Sequence, residues 1–215
     1  APAPRAGLLH TLRLCSEGIA RCTGLDELLQ GALQGLQDKL GIEHAMVLML
    51  DAQAGQLYTV ASFGYAHSGV GSEIRLGQGV IGMAAREATP VRISHMTHAA
   101  LYSHALRSSL GESGGTPAHD IPYPGLAAPH SQLALPLISR GRTLGVLFVE
   151  SPLDLQFGYP DEDALVALAG QLAAAIDLLQ APDEADEAAH TAAVTAAPLG
   201  PAVRVRYFAA NASVF

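Results

Sequence analysis

The stretch SQLALPLISRGRTLGVLFVES, residues 131–151, decides the architecture. Two apolar runs, SQLALPLIS and LGVLFVES, flank a polar turn at Arg140–Thr143 and read as two strong strands of a hairpin. The segments upstream share this strand-like character. HAMVLMLD (residues 44–51) and LYTVASFG (57–64) are strands joined by the turn AQAGQ. EIRL (73–76) and VRIS (91–94) are short strands, with a short helix, GVIGMAARE (79–87), between them.

Both ends switch to a helical period. Leu8, Leu12, Cys15, Ile19 and Cys22 recur at spacings of four, three, four and three, a heptad seam. Thr23 reads as an N-cap, with Asp26 in the capping-box position. Leu25, Leu28, Leu29, Ala32, Leu33, Leu36 and Leu40 then form a broad apolar stripe that Gly41 stops. A last helix over residues 161–180 carries Leu165, Leu168, Leu172, Ile176 and Leu179 on one seam. Hairpins in the middle and helices at both ends predict an α+β fold, with the terminal helices packed together on one face of an antiparallel sheet.

Four parts are expected along the chain. Residues 1–23 form a signalling or dimerisation helix, and 24–180 the folded domain. Residues 181–202, with Asp183, Glu184, Asp186 and Glu187, are an acidic Ala/Pro-rich linker. Residues 203–215, where Val203, Val205 and Tyr207 alternate, read as the start of a truncated downstream output domain.

The totals exclude some classes. A formal charge of −8 with no Lys/Arg block argues against a nucleic-acid surface. No apolar run reaches the ~20 residues that span a bilayer, and no signal peptide opens the chain, so a cytoplasmic protein without membrane contact is expected. Cys15 and Cys22 stand about 10 Å apart along one helix, too far to bridge each other. They read as small apolar fillers or as intersubunit partners across a parallel pair.

In their order and spacing, LGQGVIGMAAREATPVRIS, SQLALPLISRGRTLGVLFVES and FGYPDEDALVALAGQLAAAI resemble the GAF domain, a sensory ligand-binding module with a PAS-like sheet. Gly77, Gly79 and Gly82 match its turn and helix start, and Gly145 matches the small residue at which its last hairpin bends. The resemblance covers residues 24–180 and implies a ligand pocket on one sheet face, roofed by the helices and loop of about residues 79–130. It further implies signal transduction, as in a homodimeric transcription regulator. Glu150 and Ser151 replace the Asn-Lys pair of the cyclic-nucleotide branch, although Phe157, Asp161 and Glu162 match its following motif. YPGLAAPHSQLALPL is similar to the pocket of free-methionine sulfoxide reductases, but those use cysteine thiolates and this pocket has none, so no enzyme is expected. PAHDIP resembles a phytochrome signature, again without a chromophore-attaching cysteine.

Five of the nine histidines fall between positions 95 and 130. If residues 95–104 are helical, His95, His98 and Tyr102 share one face and His104 points away. His119, Asp120 and His130 arrive from the long loop over the same part of the domain. Phe63 and Tyr65 close the second strand, where they could stack on a flat ligand or simply join the core. The candidate ligand-binding set is therefore Phe63, Tyr65, His95, His98, Tyr102, His119, Asp120 and His130. Three readings stay open for the histidines: solvated loop residues, direct contacts to an organic or anionic ligand, or a metal site of His95, His98, His119 and His130. The last would make the domain a haem- or non-haem-iron gas or redox sensor.

Overall fold

The computed structural model describes residues 5–96, 121 and 123–181. In chain order it contains α1 (Arg5–Ile19), α2 (Leu25–Leu40), β1 (His44–Asp51), β2 (Gln56–Phe63) and β3 (Glu73–Arg75). There follow α3 (Gly79–Glu87), β4 (Val91–Ile93), β5 (Ser131–Ser139), β6 (Arg142–Ser151) and α4 (Tyr159–Gln180). The six strands form one sheet in the order β3-β2-β1-β6-β5-β4, with every neighbouring pair antiparallel.

Alternation along the strands divides the core into two clusters. Ala45, Val47, Leu133, Leu135, Leu147 and Val149 project to one face and pack with Leu33 and Leu36 of α2 and Leu165, Leu172 and Ile176 of α4. Met46, Leu48, Ala134, Val146 and Phe148 project to the other, where Ile81, Ala84 and Ala85 of α3 cover them. Each buried Leu or Ile contributes about 1.5–3 kcal/mol through area removed from water, so the two clusters dominate stability.

The expected seam of α1 is spent inside the domain. Leu12, Cys15, Ile19 and Cys22 pack against the helix-side cluster, and Cys15 Sγ reaches Gly35 O at 3.8 Å. The start of α2 differs from the sequence reading. Its N-cap is Gly24, which brings no side-chain cap, and Glu27 instead accepts the Thr23 backbone N–H at 3.1 Å. The polar group sits one turn inside the helix and reaches back, so Thr23 is its donor and not the cap. At the other end, Gly41 N–H bonds Gln37 O and Ile42 N–H bonds Leu36 O, closing α2 as its sequence implied.

The β5–β6 hairpin tip is fastened to α4. Asp177, 8% exposed, accepts from Ser139 Oγ at 2.8 Å and pairs with Arg140 Nε at 3.1 Å and Arg142 Nη2 at 3.0 Å. The two arginines keep mostly exposed side chains while anchoring the turn.

Gly145 marks the tightest approach in the central ladder. It lies opposite Met49 of β1 and Leu137 of β5, and a Cβ there would stand 2.0 Å from Leu48 O. Gly145→Ala should therefore destabilise the domain by about 1–3 kcal/mol, because backbone has to move. Gly170→Ala on α4, where a Cβ meets nothing within 4 Å, should stabilise by about 0.5–1 kcal/mol. Chemical denaturation of both variants tests the pair, and equal effects would contradict the close-approach account.

Candidate functional site

Among the described residues Glu150 is the one buried acidic side chain on the strands. It lies on the Phe148 face of β6, opposite His44 of β1 and Gln132 of β5, and is 2% exposed. Its Oε1 accepts the Leu126 backbone N–H at 2.8 Å, and Oε2 accepts Gln132 Nε2 at 3.2 Å. Among the described residues no Lys or Arg pairs with it. Burial pushes its carboxyl above the usual range, opposed by the bonds from Leu126 and Gln132 and by nearby Tyr65.

Two tyrosines and a histidine surround this carboxylate. Tyr65 follows Gly64, whose φ of +84 turns the chain where a Cβ would stand 1.7 Å from Glu43 O. Burial first, then the charge of Glu150, raises the Tyr65 phenol far above its ordinary value. The Tyr65 hydroxyl lies near Glu150 yet closes no hydrogen bond among the described residues, and the same holds for buried His44 Nδ1. The two rings meet at 5.6 Å between centroids, tilted by 59°. Burial and Glu150 also raise the Tyr123 phenol, although other parts of that side chain reach solvent. Beside Glu150 and His44 a crevice of 120 Å³ runs past Ile42, Leu153 and Phe157. A buried polar atom without a partner costs about 1–3 kcal/mol, so two of them around one carboxylate mark a place for a guest or water.

The sequence-derived candidates distribute differently. Phe63 packs into the helix-side cluster and Tyr65 into the α3-side cluster. The turn at Gly64 puts them on opposite faces of the sheet, so they do not stack on one ligand. His95 and His130 do come together: their Nδ1 atoms lie 2.8 and 3.0 Å from the same oxygen, Asp154 Oδ1. All three side chains are substantially open to solvent. The hydrogen bond with His130, then that with His95, holds the Asp154 carboxyl below its ordinary range. His98, Tyr102, His119 and Asp120 lie outside the described residues. Among the described residues no group of three His, Cys, Asp or Glu is arranged to hold a metal ion.

Glu150, Gln132, Tyr123 and His44 escaped the sequence reading of the pocket. One signal was present: Glu150 shares the parity of Phe148 and Val146 in an otherwise apolar strand, which places a charge inside.

The geometry has counterparts. A family model described as GAF domain matches residues 22–177. The GAF domain of an Acinetobacter phosphoenolpyruvate-protein phosphotransferase superposes with a TM-score of 0.61 at 23% identity, covering 86% of this chain and 95% of that one. The corresponding domain from Coxiella burnetii gives 0.61 at 19%, covering 88% and 99%. Free methionine-R-sulfoxide reductase from Neisseria meningitidis, in complex with its substrate, gives 0.63 at 21%, covering 84% and 94%. At these identities the likeness concerns the fold. None of the curated proteins matches the chain by sequence. The reductase corrects one expectation: this fold carries catalysis in some proteins, so lacking a pocket cysteine does not make the chain a non-enzyme. With the family model spanning most of its length, the six-stranded sheet and its flanking helices are those of a GAF domain, and the chain belongs to the GAF domain family.

Proposed function

We propose that this domain is a sensory module that binds a small molecule on the α3 side of the sheet, and that the ligand presents a protonated amine or similar cation to Glu150. One observation carries the reading: a carboxylate 2% exposed whose partners are two neutral donors. Removing an ionised carboxylate from water without a counter-charge is expensive. An incoming cation removes that penalty, and Tyr65 Oη and His44 Nδ1 offer it hydrogen bonds. Free methionine-R-sulfoxide reductase, which shares the fold, is seen in complex with its substrate, which supports a ligand here without naming it.

Binding would act on β6, which carries Glu150 and Phe148 on the ligand side and Leu147 and Val149 against the helices. A ligand that prefers one placement of β6 biases α1 and α4 toward one of two arrangements, and the bias passes to an output domain. A homodimer through these helices would use outward residues such as Leu9 and Leu178, 69% and 70% exposed, because the seams are already packed. No helix among the described residues is long and apolar enough to cross a membrane.

Calorimetry with a panel of small primary amines and their neutral isosteres tests the ligand class. Amines should bind and isosteres should not, and Glu150→Gln should weaken amine binding by about 30-fold or more, the cost of breaking a buried charge pair. Equal binding of amines and isosteres by the unaltered protein would refute it. The ligand-free protein gives a second test. A carboxyl whose folded pKa lies above its unfolded value of 4.5 favours the folded state when protonated. Stability therefore falls as pH rises from the unfolded value through the folded one. Glu150→Gln should remove that loss, so thermal melts of the two proteins should diverge as pH rises from 4 toward 7, with the variant the more stable.

A further inference from the structure

On the sheet face opposite Glu150, a crevice of 260 Å³ opens between α1 and α2. Leu14 and Ile19 of α1, Leu36 of α2, and Leu168 and Leu172 of α4 line it, and Leu147 of β6 forms its floor. Here the opening follows from the sequence, because Gly18, Gly31 and Gly35 all stand on its walls. Gly18 is exposed and a Cβ there would meet nothing within 4 Å, so a larger side chain is tolerated at this wall.

The mouth carries Gln34, Asp38 and Lys39. Lys39 is the single lysine of the chain, and among the described residues it forms no ion pair. Asp38 is engaged by Gln34 Nε2 at 2.9 Å. Burial pushes the Cys15 thiol up, and the charge of Lys39 opposes that push. At the end of α2, Gly41 N–H bonds Gln37 O and Ile42 N–H bonds Leu36 O.

We propose that this crevice is a second ligand site, taking a small amphiphile whose apolar body lies between α1 and α2 and whose carboxylate meets Lys39. By scale with a 150 Å³ cavity that holds benzene, the space suits a guest of about ten non-hydrogen atoms. Such a guest would rest against α1, α2 and α4 together and fix their spacing.

Octanoate, titrated into the full 215-residue chain and followed by calorimetry and ligand-observed NMR, is the probe. Saturable binding is expected. Gly18→Leu should abolish it by filling the space, with circular dichroism confirming the fold. Lys39→Met, at an exposed position, should weaken it about three- to fivefold, as for a partly solvated charge pair. Glu150→Gln should leave it unchanged, which separates this site from the amine site. Absence of saturable octanoate binding would overturn the proposal, as would retention in folded Gly18→Leu or octanol binding as tightly as octanoate. Sedimentation showing a dimer that Gly18→Leu converts to monomer would also overturn it, since the crevice would then be an interface between copies.

Discussion

The structure depends on burying the β1–β6–β5 ladder on both faces at once. Antiparallel sheets commonly keep one face wet. Here Ser131 through Leu137 of β5 and Gly145 through Ser151 of β6 are all buried, because α1, α2 and α4 cover one side and α3 lies on the other. A strand so placed has no solvent-facing positions to absorb polar groups. Each polar side chain in it must find partners within the protein or be held for something else. Ser131 satisfies the rule, bonding Leu153 O and receiving the Gln156 N–H. Glu150 satisfies it only in part.

The same constraint explains what was legible in the sequence. Strands buried on both faces read as continuous apolar runs, and SQLALPLIS and LGVLFVES were unmistakable for that reason. The helical seams were equally clear because each faces a single core. The α+β layering, the short helix before VRIS and the stop at Gly41 all followed from local pattern. Features set by one or two atoms were not readable. Gly24 caps α2 with its backbone alone, which leaves no side-chain signature, and Glu27 does what Asp26 was expected to do.

The site was less legible than the fold, since parity is lost wherever the chain turns. Phe63 and Tyr65 are two apart, the spacing that puts strand residues on one side. The left-handed backbone at Gly64 between them reverses that. The histidines drew attention by number, yet His95 and His130 owe their proximity to Asp154, a residue from a third segment that no local pattern connects to either. A single Glu within an apolar strand was the stronger signal, because burying a charge has a physical cost that crowding of histidines does not.

The attachment of three hairpin groups to Asp177 restricts how α4 can move. One step of roll along an α-helix turns a side chain through about 100° about the axis. Such a roll would carry Asp177 away from Ser139, Arg140 and Arg142 together and leave a nearly buried carboxylate stranded. Tilting or sliding α4 with the hairpin tip as one lever keeps all three bonds. The helix is thus built as a pushrod and not as an axle, and torque applied at one end is resisted at this single carboxylate.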